Sequence, residues 1–194
     1  MLPTPSQTVG PFYGYALPFP DGGATVPAGH PDAVVVHGRV LDGAGEPVPD
    51  ALIEFWQPAP DGDRRGAPGS LRRDQTTGGF AGRDGHTFTG FARVATDADG
   101  SWTVHTLRPG GVPYLSVCVF ARGLLHHLFT RVYLPDPDPD PNPNPASDLD
   151  ADPLLASLPA RRRATLVAAE TSARAYRFDI HLQGEKETVF LDFR

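Results

Sequence analysis

The sequence predicts an all-β protein: a β-sandwich with an extended N-terminal arm, long loops and one short helix. Gly and Pro, 21 and 22 residues, together exceed a fifth of the chain, which suits short strands joined by turns. With 40% hydrophobic residues, the chain can bury a sizeable core. Its 194 residues fit one domain over 1–194, which we divide into an arm at 1–32 and a sandwich core at 33–194.

Several stretches of the core have the composition of β-strands, because Val, Ile, Thr and aromatic residues dominate them or alternate with polar residues. The turn-forming sequence DADG at 97–100 separates two of them and predicts a β-hairpin. The predicted strands span 34–40, 51–56, 90–96, 101–105, 114–121, 128–134, 176–182 and 188–193.

The arm is rich in Pro, Gly and aromatic residues, among them Phe12, Tyr13, Tyr15 and Phe19, and it shows neither helical nor strand periodicity. Aromatic side chains are costly to leave in water. The sequence therefore predicts an extended arm that lies against another surface and has no core of its own.

Two long loops and one helix complete the prediction. Residues 58–90 have little apolar periodicity, and a loop of this length in a compact domain is usually functional or disordered. Residues 135–145 alternate Pro with Asp or Asn, which predicts an extended surface loop. The best helical stretch is 160–172, with Leu166 and Val167 facing inward. Candidate helix caps are Asp152 and Ser157.

Charge and hydropathy exclude several classes of function. The net charge of −6 disfavours nucleic acid as a partner, and the basic run RRR at 161–163 is interpreted as a solvated helix face. The first residues lack the basic and apolar regions of a signal peptide, and no stretch approaches the roughly 18 apolar residues that a membrane helix needs. We expect a soluble cytoplasmic protein with no membrane partner.

Motifs alone give no catalytic constellation. Only His126 and His127 are close in sequence among the seven histidines, and neighbours on a strand point to opposite faces. The DADG sequence resembles the start of a calcium loop, but Arg108 stands where the twelfth-position glutamate is needed. The lone Cys118, inside an apolar run, is interpreted as a buried thiol. These residues predict a binding module or a subunit.

A set of segments in the same order resembles the subunits of the protocatechuate 3,4-dioxygenase family, which are intradiol ring-cleavage dioxygenases with a prealbumin-like β-sandwich. The arm sequence TPSQTVGPFY at 4–13 is similar to the opening of these chains, and FARVATD at 91–97 also matches. Further matching segments are GRVLD at 38–42, PVPDA at 47–51, EFWQ at 54–57, VFARGL at 119–124, TRVYL at 130–134 and YRFDIHLQG at 176–184.

The resemblance implies that this chain has no iron ligands. In the family, a β chain holds a non-haem ferric iron, Fe(III), with two tyrosines and two histidines, ligands that suit a hard ferric ion. The first tyrosine is expected near Arg64 and Arg65, and the loop that would carry the second is shortened. The two histidine positions fall on Tyr114 and Ser116. The chain thus resembles the family's α chain, with no catalytic residue and no metal of its own.

The resemblance also implies a role beside a β subunit, in a higher αβ oligomer that takes a small aromatic substrate and O2. Thr8, Gly10, Pro11 and Phe12 would line the substrate pocket, although Phe12 stands where α chains often have a tyrosine. Arg131 would reach toward the pocket and favour an anionic substrate. The alternatives to a role in substrate binding are structural: interface packing for Pro11 and Phe12, and an ion pair within the sandwich for Arg131.

Three other functions remain open at the level of sequence. The first is a self-sufficient metal enzyme built on Tyr114, His126, His127 and a carboxylate. The second is a non-enzymatic prealbumin-like binding module, because part of the pattern arises from strand–turn–strand chemistry. The third is the α chain of a related ring-cleaving enzyme with another catechol substrate.

Overall fold

A computed structural model describes Pro5 and residues 7–64, 71–135 and 148–193. The strands are β1 (Val34–Leu41), β2 (Leu52–Trp56), β3 (Leu71–Arg73), β4 (Phe80–Arg83), β5 (Phe91–Ala95), β6 (Ser101–Thr106), β7 (Tyr114–Phe120), β8 (Leu128–Tyr133), β9 (Ala169–Ser172), β10 (Ala175–Arg177) and β11 (Ile180–His181). The helices are α1 (Tyr13–Ala16), α2 (Pro153–Ser157) and α3 (Ala160–Arg163). None of the helices in these described ranges is long and apolar enough to cross a membrane.

The main strands form two sheets, and β3 and β4 form a separate two-stranded pair. In the first sheet, β6 runs antiparallel along one edge of β1, while β10 and β11 follow one another in parallel along the other edge, with β9 beyond β10. The second sheet has the order β5-β2-β7-β8 and is antiparallel throughout. This architecture confirms the predicted all-β sandwich.

The two sheets share one apolar layer. Along β6 the even-numbered positions, including Trp102 and Val104, are buried while the side chains between them are not. The indole of Trp102 meets the ring of Phe55 from the second sheet, with 5.1 Å between centroids. Each fully buried aliphatic or aromatic side chain contributes about 1.5–3 kcal/mol. The period-two alternation that predicted these strands therefore also places their apolar faces toward each other.

The predicted β-hairpin across 97–100 is wrong. The turn itself forms, since the Gly100 amide donates to the Asp97 carbonyl at 2.9 Å. Its two strands, however, lie in different sheets: β5 pairs with β2, and β6 pairs with β1. Val94 and Val104 both face the layer between the sheets, so the turn carries the chain from one side of the core to the other. The turn sequence specified that the chain reverses direction here, but not which strands pair with each other.

The predicted helix at 160–172 is largely wrong. Helix α3 ends at Arg163, and the chain then becomes β9, which pairs with β10. Leu166 is fully buried as predicted, whereas Val167 is half-buried. The Leu166 carbonyl accepts from the Tyr133 amide, and the Ala168 amide donates to the Tyr133 carbonyl, both at 2.9 Å. These bonds satisfy the open edge of β8, so a long-range pairing overrides local helix propensity.

The cap predictions had mixed outcomes. Asp152 is the N-cap of α2, where its side chain accepts from the amides of Leu154 and Leu155. Ser157 is the last residue of α2, and its hydroxyl donates to the Leu154 carbonyl instead of capping a following helix.

Two further predicted segments differ in detail. The loop at 58–90 contains the β3–β4 pair. The predicted strand at 188–193 makes an isolated bridge from Leu191 to Phe129. Most of the Pro-rich segment at 135–145 lies outside the described residues.

The arm is only partly without a core of its own. Tyr13 and Phe19 are buried, and the Phe19 ring lies 4.7 Å from the ring of Phe80 on β4. In contrast, Phe12 and Tyr15 are 74% and 86% exposed. The prediction of an extended arm without a core of its own is therefore wrong at Tyr13 and Phe19, which pack on this chain, and the helix α1 interrupts the extended course.

We expect Gly38→Ala to destabilise the fold, because a Cβ at this position of β1 would lie 1.8 Å from the carbonyl oxygen of Phe178 on the neighbouring segment. Overpacking against backbone should cost about 3 kcal/mol. The midpoint of urea unfolding, followed by tryptophan fluorescence, measures the loss.

The matched control is Gly14→Ala on exposed α1, where an added Cβ meets nothing within 4 Å. It should leave the midpoint nearly unchanged. Equal midpoints for the two variants would contradict the close approach of β1 to Phe178.

Candidate functional site

The candidate site lies on the outer face of the second sheet. Residues Phe55, Leu115 and Val132 face the core, so the alternate side chains of β2, β7 and β8 face outward. Cross-strand pairing aligns Trp56 with Ser116 and Ser116 with Arg131. This row brings a half-exposed indole, an exposed hydroxyl and a guanidinium together across three strands.

Arg131 is held by residues of its own chain. Its Cζ atom lies 4.0 Å from the centroid of the Tyr114 ring, which is a close cation–π contact. Its Nη1 donates to the Tyr133 hydroxyl at 3.0 Å and lies 4.0 Å from Oδ2 of Asp152. Burial lowers the pKa of Arg131. The hydrogen bond to the Tyr133 hydroxyl and the negative charge of the nearby Asp152 carboxylate outweigh burial, so the pKa lies above its ordinary value. Arg131 is thus a permanent, oriented positive charge.

A cavity of about 500 Å³ opens beside this guanidinium. Its wall combines loop, strand and helix residues, because the turn before β7 and the start of α2 meet over β8. Its lining includes Gly111, Pro113, Tyr114, Arg131, Asp152 and Leu154. The size is in the range of small-molecule pockets.

The residues at the positions matched to histidine ligands do not fit an iron ion. Tyr114 and Ser116 share the outer face, as residues two apart on a strand must. The face of the Tyr114 ring is covered by the Arg131 guanidinium, which cannot coordinate a metal and repels a cation. In the described part of the chain, no three or more His, Cys, Asp or Glu side chains are grouped to hold a metal.

A metal site built from Tyr114, His126 and His127 is contradicted by the structure. Tyr114 begins β7, whereas the His127 ring packs on Phe120 and Phe129 at the opposite end of β7 and β8, 5.6 and 4.6 Å between centroids. Tyr114 and Phe120 are six positions apart along β7, which corresponds to roughly 20 Å. The adjacent histidines and Tyr114 therefore cannot share an ion.

The arm residues of the predicted site are close to solvent. Thr8, Pro11 and Phe12 are exposed, and Gly10 is half-buried with a φ of 81°. The helix that follows is fixed through Tyr13, whose hydroxyl donates to the Asp50 carbonyl at 2.5 Å.

These arm contacts lie away from Arg131. Asp50 precedes β2, six residues before Trp56, whereas Arg131 is aligned with the Trp56 end of the strand. Among the described contacts, none joins residues 8–12 to Arg131. The structure therefore does not bring the two parts of the predicted site together within this chain.

The arm is attached to the sheet by a partly buried ion pair that the sequence did not reveal. Arg93 of β5 bonds to Glu54 of β2 at 2.5 and 2.8 Å, with side chains 13% and 17% exposed. The same guanidinium donates to the Leu17 carbonyl of the arm at 3.1 Å and lies 5.9 Å from the Phe19 ring centroid. The partners are 39 residues or more apart, so no local pattern could predict them.

Arg83 of β4 makes a second attachment. Its side chain donates to the carbonyls of Asp21, Gly22 and Phe91, which joins the β3–β4 pair to the arm and to β5. Burial lowers the pKa of Arg83 to about 10. The predicted loop at 58–90 thus has a structural role in holding the arm.

Comparisons with known proteins define the class. A family model described as "Dioxygenase" matches residues 9–119. The chain is 40% identical to the protocatechuate 3,4-dioxygenase alpha chain of Burkholderia cepacia over 97% of this chain and 96% of that one. It is 35% identical to the protocatechuate 3,4-dioxygenase alpha chain of Pseudomonas putida over 100% of this chain and 98% of that one. The chain therefore belongs to the intradiol ring-cleavage dioxygenase family, as its segments predicted.

A more distant relative and two solved structures extend the comparison. The protocatechuate 3,4-dioxygenase beta chain of Burkholderia cepacia is 29% identical over 81% of this chain and 67% of that one. The intradiol ring-cleavage dioxygenase from Tetranychus urticae superposes with a TM-score of 0.56 at 14% identity, covering 82% of this chain and 84% of that one. The dioxygenase domain of a carbohydrate-binding fusion from Streptomyces sp. SirexAA-E superposes with a TM-score of 0.53 at 24% identity, covering 94% of this chain and 99% of that one. These structures confirm the fold. The family's intradiol dioxygenases are non-haem iron enzymes.

We expect the native Cys118 thiol to be unreactive at pH 8. Cys118 is 8% exposed, and burial, aided by the charge of Glu54, raises its pKa from 9.0 to about 12. Three pKa units lower the thiolate fraction about a thousandfold, and the thiolate is the reactive form. The rate of reaction with a chromogenic disulfide, in buffer and in denaturant, measures this. Equal rates in the two conditions would show that the thiol is accessible in the folded chain.

Proposed function

We propose that this chain is the α subunit of a protocatechuate 3,4-dioxygenase, and that it lines the active site of an iron-bearing β subunit. The observation that carries the proposal is the Arg131 guanidinium, which stacks on Tyr114 where an iron-binding chain of the family would have a ligand. The 40% identity to an alpha chain over nearly the full length supports it.

The exposed aromatic residues support a partner chain. Phe12 and Tyr15 of the arm are 74% and 86% exposed, and Trp56 of the candidate site is 47% exposed. Large exposed aromatic side chains are enriched at protein interfaces. The similarity of this chain to a beta chain supports a partner with the same kind of fold. We infer that the arm at 1–32 and the core at 33–194 contact that partner as one domain, in a higher αβ oligomer in the cytoplasm.

The proposed reaction is the cleavage of the ring of protocatechuate by O2, between the two hydroxyl-bearing carbons, to 3-carboxy-cis,cis-muconate. The non-haem iron that activates the catechol belongs to the β subunit in this proposal. The present chain contributes pocket walls from Thr8, Gly10, Pro11 and Phe12, and positive charge from Arg131. A guanidinium stabilises a carboxylate through charge-assisted hydrogen bonds.

Co-expression of this chain with its β partner should yield a complex that contains iron and consumes O2 when protocatechuate is added. The chain expressed alone should have neither property, because the residues around Arg131 do not fit a metal. Metal analysis and an oxygen electrode measure both preparations. Stoichiometric iron together with activity in the chain alone would refute the subunit role.

Replacing Arg131 with Ala should raise the KM of the complex for protocatechuate about tenfold or more, since hydrogen bonds to charged groups contribute about 1.5–3 kcal/mol. The KM for catechol, which lacks the carboxylate, should change less. Steady-state O2 uptake with both substrates provides the measurement.

Arg39→Ala is a control, because Arg39 is on β1 of the other sheet and pairs with Asp99 at the surface. It should leave both KM values unchanged. If Arg131→Ala also leaves them unchanged, Arg131 is not a pocket residue. If Arg131→Ala raises the KM values for protocatechuate and catechol equally, either the substrate of the complex is another catechol or Arg131 does not bind the carboxylate.

A further inference from the structure

Arg131 ends a chain of hydrogen bonds that begins in the backbone of α2. The amides of Leu154 and Leu155 donate to Oδ1 of Asp152 at 2.9 and 3.1 Å. The Tyr133 hydroxyl donates to the same oxygen at 2.9 Å, and it accepts from Nη1 of Arg131 at 3.0 Å. The helix cap, the hydroxyl and the guanidinium therefore form one connected path.

The inner members of this path are rigid. Tyr133 is fully buried and packs with Leu155, Leu166 and Val189, and Asp152 is 9% exposed. Burial raises the pKa of the Tyr133 hydroxyl, so the hydroxyl stays protonated and remains a hydrogen-bond donor to Asp152 across the physiological pH range. A buried side chain with both of its hydrogen bonds made has one orientation, and it imposes that orientation on its partner.

The outer end of the path is fixed by a ring. Tyr114 lies under the guanidinium with 4.0 Å between its ring centroid and Cζ, which limits the movement of the guanidinium on that side. An arginine has five N–H donors in a rigid fork, and the hydrogen bond to Tyr133 engages Nη1. The cavity lies alongside, lined by both Arg131 and Tyr114. The other donors of the fork can serve a ligand there.

We propose that Tyr133 and Asp152, with the ring of Tyr114, are positioning residues that set the direction of the Arg131 guanidinium and so determine the preference of the assembled enzyme for a substrate that carries a carboxylate. The inference rests on the proposed function, in which Arg131 borders the substrate pocket. It assigns the specificity to Arg131, which contacts the substrate, and to the three side chains that orient it, of which Asp152 is also the N-cap of α2.

Tyr133→Phe is the cleanest test, because it removes one hydroxyl and changes no charge. Removing the Asp152 carboxylate would instead have two opposing effects: it would free the arginine and also raise the net positive charge beside the pocket. In the co-expressed complex, Tyr133→Phe should raise the KM for protocatechuate about threefold to tenfold, the range expected for one hydrogen bond, with kcat changed less than about twofold. The KM for catechol should not change.

The matched control is Tyr176→Phe. Tyr176 is also fully buried, and its hydroxyl also accepts from an arginine, Arg108, but it belongs to the first sheet and does not line the cavity. It should lower the midpoint of thermal unfolding as Tyr133→Phe does and leave both KM values unchanged. A loss of stability alone therefore cannot produce the expected split between substrates.

A double variant separates this inference from the proposed function. If Tyr133 acts through Arg131, Tyr133→Phe should add nothing to the KM of Arg131→Ala. If Arg131→Ala raises the KM for protocatechuate and Tyr133→Phe does not, the positioning role is overturned and the pocket role of Arg131 stands. If Arg131→Ala has no effect, both fail.

A second variant covers the case in which Tyr133→Phe does not assemble. Tyr114→Leu removes the ring beneath the guanidinium at a half-buried position on the cavity wall. It should raise the KM for protocatechuate and spare that for catechol. An unchanged ratio of the two KM values in this variant would overturn the positioning role.

Discussion

The apolar layer between the two sheets constrains the rest of this chain. Because Phe55, Trp102 and their neighbours fill the space between the sheets, the inner face of every main strand is committed to packing. Only the outer faces, the loops and the arm are then available for chemistry. On the second sheet, the period-two alternation places Trp56, Ser116 and Arg131 in one row on the outer face.

Charged groups take part in packing as well as in function. The Arg93–Glu54 pair fixes the arm against the outer face of β2 and β5, and Arg83 fixes the β3–β4 pair through backbone carbonyls. Such partly buried groups are stable only when their partners are present. The attachment of the arm thus depends on side chains from three separate parts of the sequence, and it leaves Phe12 and Tyr15 exposed.

At the candidate site, the Arg131 guanidinium covers the ring of Tyr114. A guanidinium is a cation that cannot be lost and cannot coordinate, so the site keeps a positive charge without a metal. In the αβ assembly that we propose, this charge stabilises an anionic substrate while the partner chain supplies the redox chemistry. Tyr133 and Asp152 hold the guanidinium through a hydrogen bond and an ion contact, so the site that we propose includes them as well as Arg131.

The sequence by itself determined most of the main strands, the sandwich class and the family, and it indicated Arg131 as a candidate site residue, because these follow from short-range alternation and from motifs. It did not determine the pairing of β5 and β6, which lie in different sheets although a good turn joins them. Nor did it reveal that the backbone of residues 166–168 makes hydrogen bonds to the backbone of Tyr133 and does not continue the helix. The hydrogen-bonded path through Arg131, Tyr133 and Asp152 was also not apparent from the sequence. Only the tertiary structure decided these, because each depends on which distant edge or buried group needs a partner, and that need arises only once the sheets have packed.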